Sequence, residues 1–138
     1  MAKELPIKIQ TILYRIEDNI PLILVVKRSP QDGNFWQTIT GTLEIDESIF
    51  VSRNRELEEE IGITDAIFDE DEVNRFSWKK EDWTVVEIVY SAVTNTKEIR
   101  LSPEHTEYRW LTIDDAIDLV EKVQTKECLI KFKEIKLL

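Results

Sequence analysis

Short apolar runs and period-two alternation, interrupted by one strongly amphipathic stretch, set the pattern of this chain. Ile7–Tyr14 alternates and carries β-branched residues, and Leu22–Lys27 is a second strand-like run; the turn signal Asp18-Asn19 between them makes the pair a hairpin. Ser29-Pro30-Gln31-Asp32-Gly33-Asn34 is dense in turn formers, after which Phe35–Ile39 returns to a strand leading to Gly41. The periodicity then becomes helical over about Glu47 to Ile61, stopped by Gly62 where a left-handed cap belongs. Ile63–Phe68 and Val73–Trp78 are predicted as strands around an acidic turn, Thr84–Val93 as the strongest later strand and Glu107–Leu111 as a short final one. Thr112, with Asp114 and Asp115 in the first turn, is predicted to start a helix reaching about Lys122, and Thr125 to cap another running towards Ile135. Strands outnumber helices without regular βαβ alternation, so the expected class is α/β in the α+β sense, a mixed sheet flanked by helices.

Within the first helix the charges are sorted by face. With Glu56 as origin and about 100° per residue, Glu59 and Glu60 fall with it in an arc of about 100°, while Glu58 points away. Phe50, Leu57 and Ile61 form an adjoining apolar stripe that would pack on the sheet. Like charges three and four residues apart cost roughly a few tenths of a kcal/mol per pair on an exposed helix, so stability alone does not favour the clustering. A bound cation would reverse the sign.

Composition narrows what such a cluster can serve. At 138 residues the chain lies in the single-domain range, and one domain over 1–138 is expected, without internal repeats or linkers. Its 28 acidic against 18 basic residues give a formal net charge of -10, which opposes non-specific binding to long nucleic acids or anionic membranes. A small phosphate ester would need metal ions or a local basic patch to approach. The lone Cys128 cannot form an internal disulfide, Met1-Ala2-Lys3-Glu4 lacks the apolar core of a signal peptide, and the longest early apolar run, Leu22–Val26, is too short to span a bilayer. A cytoplasmic setting is expected, as a monomer or a homodimer.

Hard carboxylate oxygens suit Mg2+, or Mn2+, far better than zinc, and no Cys/His set for zinc is present. Mg2+ takes few carboxylates and keeps waters and phosphate oxygens in its shell, so a diphosphate can complete the site. There the ion neutralises phosphate charge, orients phosphorus for in-line attack and acidifies a water whose proton a spare carboxylate can accept.

Gly41, Glu47, Arg55, Glu56, Glu59, Glu60 and Gly62 fall in one spaced pattern: Gly, five residues, Glu, seven residues, Arg-Glu-apolar-any-Glu-Glu-any-Gly, closed by apolar Ile63. At roughly one chance in fifteen per fixed letter, it would arise about once in 10^8 starting positions. Gly41–Ile63 resembles the Nudix box in full. The resemblance implies an α/β/α sandwich around a mixed sheet, and hydrolysis of a nucleoside diphosphate linked to another group. It further implies that Glu56, Glu59 and Glu60 ligate metal, Glu56 also being a candidate base. Arg55 would orient a glutamate, Glu47 would assist metal or water, and the main-chain carbonyl of Thr40 or Gly41 would be a further ligand. Phe35–Glu44 and Glu104–Leu111 look like the dihydroneopterin triphosphate and dATP pyrophosphohydrolase branch, in which a glutamate at the place of Glu104 joins the metal site from a loop. Glu107 is its substitute. Thr40 and Asp46 stand where many relatives have glycine, although Asp tolerates a left-handed backbone.

For substrate contacts, Trp36 or Tyr108 can stack on a base or simply pack, and Lys27 and Arg28 at a strand end can meet terminal phosphates. His105 reads as a structural hydrogen-bonding group, and Cys128 and Trp110 as core residues. The expected reaction is Mg2+-dependent hydrolysis of a nucleoside triphosphate-like substrate, of the dATP or dihydroneopterin triphosphate type, to a monophosphate and pyrophosphate. Relatives acting on ADP-ribose tend to carry a proline past the box, and those acting on dinucleoside polyphosphates a tyrosine. Here no proline lies between Pro30 and Pro103, and Tyr14 is followed only by Tyr90 and Tyr108. A sensor that binds nucleotide without hydrolysing it is the alternative of another class; such domains usually lose box carboxylates, whereas Glu56, Glu59 and Glu60 are all present, and a scaffold would need only the acidic surface.

Overall fold

Asp18 and Asn19 both take positive φ, 51° and 66°, which is the backbone of a two-residue hairpin turn whose twist suits the strands on either side. The turn joins β1 (Glu4–Glu17) to β2 (Ile20–Arg28) in a computed structural model that describes residues 4–137. The opening residues Met1–Lys3, read above for a leader, lie outside the described residues. After one 3-10 turn follow β3 (Trp36–Gln37), β4 (Ile39–Glu44), α1 (Ile49–Ile61), β5 (Ile67–Phe68), β6 (Asn74–Lys80), β7 (Trp83–Val93), β8 (His105–Leu111), α2 (Ile113–Leu119) and α3 (Val123–Phe132), the last running into a π-helical turn at Lys133–Leu137.

β1 organises the single mixed sheet. One of its edges pairs in parallel with β7, from Ile7↔Val86 to Tyr14↔Val93. Its other edge is shared: Tyr14–Glu17 pairs with β2, and Glu4–Thr11 with β4. β2 meanwhile continues away to pair with β3 and β8. The sheet therefore splits where β1 changes partner, and this split opens the cavities described below.

Period-two alternation decides which residues meet which helix layer. Ile12, Ile23, Val25 and Val89 face α2 and α3, meeting Ala116, Leu129 and Phe132. Their neighbours Leu13, Leu24, Val26 and Ala92 face α1, meeting Leu57 and Ile61. Both faces of the central strands are thus covered, which is why Leu22–Val26 reads as an unbroken apolar run. The result is the α/β/α sandwich around a mixed sheet.

Several boundaries move. The helix α1 begins at Ile49, with Ser48 as cap accepting the N–H of Val51, so Glu47 lies in the preceding loop. Phe50 does not pack on the sheet: it is exposed, and the buried Arg53 guanidinium lies 4.8 Å from its ring. Ile63–Phe68 yields only the two-residue β5. Thr112 caps α2, accepting the N–H of Asp115, but α2 stops at Leu119. α3 then starts from Lys122, leaving Thr125 buried inside the helix rather than at its cap. Gly62 ends α1 with φ 72°, its N–H donating to the carbonyl of Glu58. Asp46 also holds a left-handed conformation, at φ 68°. Among the described residues no helix is long and apolar enough to cross a membrane.

Candidate active site

Everything at this site is held between β4, the loop after it, α1 and the loop before β8. Glu44 and Glu47 close the loop between β4 and α1, the N–H of Glu44 donating to Glu47 Oε1 at 3.1 Å. Arg55, nearly two turns into α1, reaches back and grips Glu47 with its fork: Nε to Oε2 at 2.6 Å and Nη2 to Oε1 at 2.9 Å. This pairing holds the Glu47 carboxyl down to about 2 and raises the Arg55 guanidinium above its usual value. The same guanidinium meets Glu59 at 3.1 Å and Glu56 at 3.2 Å. With Glu44 at 3.7 Å as well, one cation thus serves four carboxylates.

Glu56 and Glu60 lie deeper. Burial pushes the Glu56 carboxyl up to about 7, opposed by Arg55 and reinforced by Glu59 and Glu104. Glu60 is buried and pushed up to about 9, first by burial, then by Glu56 and the carboxyl of Glu104. Its Oε2 has no hydrogen-bond partner. Gly41 faces Glu56 across β4 so closely that a Cβ there would sit 1.9 Å from the Glu56 carboxyl carbon. Glycine is needed at this position for room, not for an unusual backbone.

These groups line a cavity of about 260 Å3 with walls almost wholly polar, which includes Thr40, Gly41, Glu56, Glu59, Glu60 and Glu104. A second cavity of about 450 Å3 adjoins it. Lys8, Arg28 and Thr40 belong to both, and Phe35, Phe76 and Trp78 line the larger one. Of the residues singled out from sequence, Arg28 therefore stands at the junction, where its Nε donates to the carbonyl of Asp32. Lys27 points elsewhere and pairs with Glu107 at 3.7 Å. Trp36 is buried in the core with the Arg109 guanidinium 4.8 Å from its ring, and Tyr108 is exposed on β8. His105 is buried without a partner on either ring nitrogen, so it is not the hydrogen-bonding group expected; burial, with Arg28 nearby, lowers its pKa and keeps it neutral. Trp110 is only partly buried, its indole N–H donating to the Lys97 carbonyl. Lys8, Gln37, Trp78 and Glu87 were not legible as site residues: each occupies an ordinary strand position and becomes a cavity wall only because the sheet splits.

The donor set fits a hard divalent cation. A buried carboxylate oxygen without a partner, beside two further acids and across from a glycine that leaves room, is costly unless positive charge arrives. Among the described residues no three acidic, histidine or cysteine side chains already close around a point as a ready-made metal cage.

Fold and site together define a protein that handles phosphate anhydrides with carboxylates. The chain belongs to the NUDIX domain family, whose model matches residues 7–131, and it is a hydrolase of the pyrophosphatase type. It is 26% identical over 140 aligned positions to a dihydroneopterin triphosphate diphosphatase of Haemophilus influenzae, covering 88% of this chain and 83% of that protein. It is 33% identical over 99 residues to an octanoyltransferase of Myxococcus xanthus, covering 70% of this chain but only 28% of that longer protein. Its fold matches the crystal structure of a C. elegans Ap4A hydrolase with a TM-score of 0.81 at 22% identity, over 93% of this chain and 95% of the other.

Proposed function

We propose that residues 1–138 act as one Nudix domain, in a cytoplasmic setting, to hydrolyse a nucleoside triphosphate-like substrate to a monophosphate and pyrophosphate with Mg2+ as cofactor and Mn2+ as substitute. The observation that carries this reading is the junction of two cavities. An acidic cavity suited to metal-bound phosphates meets a larger one with aromatic walls, and Arg28 and Lys8 stand between them. A volume of about 450 Å3 falls in the range of small-ligand pockets, enough for a ring and its sugar or side chain.

Glu56, Glu59, Glu60 and Glu104, with the carbonyl of Thr40, would hold the cation. When bound, the cation supplies neutralisation of phosphate charge and acidification of a water. Arg55 fixes Glu47 and steadies Glu56 and Glu59, so the loop and the helix keep their spacing during turnover. Glu56 is placed to accept a proton at a carboxylate oxygen, being raised to about 7 before any cation binds. Arg28 and Lys8 would take the phosphates nearest the junction, whereas Lys27 and Tyr108 line neither cavity. Similarity to the dihydroneopterin triphosphate diphosphatase supports the triphosphate class. The net charge of -10 supports a small-molecule partner rather than long nucleic acid or membrane.

The test is a substrate panel of dATP, other nucleoside triphosphates, dihydroneopterin triphosphate, ADP-ribose and a diadenosine polyphosphate, each with Mg2+ and with products identified. Release of pyrophosphate from a triphosphate is expected, with labelled water placing its oxygen on one product. Turnover confined to ADP-ribose or to the diadenosine compound would refute the substrate class, and ligand-induced stabilisation without turnover would favour a sensor.

A further inference from the structure

The larger cavity carries groups that phosphate chemistry does not use. Glu87 on β7 is 8% exposed and forms part of its wall. Its Oε1 accepts the indole N–H of Trp78 at 3.3 Å, and its Oε2 accepts the amide N–H of Gln10 at 2.8 Å. Gln10 is fixed in turn, because its Oε1 accepts the hydroxyl of Thr38 at 2.8 Å and only N–H remains to face Glu87. Both partners of Glu87 are neutral donors. Each carboxylate oxygen keeps capacity for another donor, and hydrogen bonds alone offset its burial. Gln37, 7% exposed, lines the same cavity, and its buried Nε2 has no partner. A buried amide without a partner is rare and points to a group that completes it on binding.

We propose that Glu87 and Gln37 are specificity-determining residues that read the 2-amino-4-oxo-pyrimidine edge shared by guanine and pterin rings. That edge presents a carbonyl oxygen, a ring N–H and an exocyclic amino group in sequence: one acceptor, then two donors. The free Nε2 of Gln37 supplies the donor for the carbonyl, and the Glu87 carboxylate supplies acceptors for the two N–H groups. Phe35, Phe76 and Trp78 provide flat apolar surface for the ring. Adenine sets a ring-nitrogen lone pair where the ring N–H would be, so its edge would face the carboxylate with an unpaired acceptor and be rejected. The assignment deepens the proposed function and rests on it only in taking the adjoining acidic cavity as the phosphate end.

Binding without turnover tests it. The α,β-methylene triphosphates of guanosine, inosine and adenosine would be titrated into the protein with Mg2+ and followed by calorimetry. The guanosine compound should bind tightest, the inosine compound, which lacks the amino group, ~10-fold more weakly, and the adenosine compound ~100-fold more weakly. Glu87→Gln should lower the guanosine-over-adenosine preference ~10-fold, with some drop in melting temperature because its amide N–H would face one of the two donors, and Gln37→Leu should weaken the guanosine and inosine compounds alike. Equal affinities for the three compounds, or a Glu87→Gln variant that weakens all of them equally, overturn the proposal. The three-compound series needs no variant and so decides the matter even if a substituted chain fails to fold. A guanosine preference in a protein that hydrolyses nothing would uphold this reading while refuting the hydrolase. Comparison of kcat/KM on GTP and on dihydroneopterin triphosphate then tells a nucleotide from a pterin.

Discussion

Glu47 and Glu60 are carboxylates of the same constellation, yet one is held down to about 2 and the other pushed up to about 9. Glu47 has both oxygens engaged by Arg55 and by a backbone N–H, so its charge is compensated inside the protein. Glu60 is more deeply buried, faces Glu56 and Glu104, and leaves an oxygen without any partner. The contrast separates frame from reactive centre. A charge that completes the fold is paired by the fold, whereas an acid left without a partner in a cavity is kept protonated by its burial and gains most from positive charge brought from outside.

The sharpest way to break this comparison is to neutralise the acids whose burial raises them, Glu60 without a partner and Glu56 with only a share of Arg55. Glu60→Gln or Glu56→Gln should lower kcat/KM by ~10^3-fold or more, because the cation loses a ligand or the water its acceptor. Glu60→Gln should leave the metal-free melting temperature nearly unchanged, since it replaces an acid that burial already disfavours in its charged form. Near-normal turnover in both variants would dissolve the distinction. Gly41→Ala comes next. Its Cβ would collide with the end of the flexible Glu56 side chain, which can swing aside at little cost in stability but not without leaving its place. A loss of ~10^2-fold in kcat/KM with a nearly unchanged melt is expected; an unchanged rate would show that the Glu56 position is unimportant.

The paired side of the comparison predicts the opposite balance. Arg55→Ala removes the only cation shared by Glu47, Glu56 and Glu59 among the ion pairs described, so it should destabilise the protein by roughly 2 kcal/mol, a drop of several degrees in melting temperature. Arg55→Lys should restore only part of this, because an ammonium cannot span both oxygens of Glu47. Equal melting curves for wild type and Arg55→Ala would show that the fork contributes nothing to the frame.

What was legible follows the same division. The carboxylate-bearing helix shows in the sequence because its acids recur at fixed spacing along one element, and Gly62 marks its end for a local steric reason. Its true start was equally local, in the cap residue Ser48, but Glu47 belongs to the same spaced pattern and drew the boundary two residues too early. Phe50 misled because a helical stripe does not say whether its edge meets a sheet or covers a buried arginine such as Arg53. Trp36 offered an aromatic ring of the right kind, but alternation in β3 turned it to the core and turned Gln37 to the cavity. Glu87 and Lys8, at paired positions of β7 and β1, become neighbours only through a parallel pairing of residues far apart in the chain. No local signal announces such a wall.

The smallest effect expected is a pH dependence of stability, and it tests the comparison without any mutation. Glu56 and Glu60 have folded values of about 7 and about 9 against an ordinary 4.5, so between those limits the folded protein binds more protons than the unfolded chain. Stability rises with pH only where the unfolded state binds more protons, so here it must fall as pH climbs from about 5 to about 9. Glu47 works the other way: its depressed value contributes stability that is present above about 4.5 and lost as pH falls towards 2. In chelator the melting temperature should therefore peak near pH 5 and decline by a few degrees towards pH 9. Millimolar Mg2+ should flatten or invert that decline, because a cation favours the ionised acids of the folded state. A decline of the same slope with and without Mg2+ would place the cation elsewhere, and no decline in chelator would mean that Glu56 and Glu60 carry no unpaired burden at all.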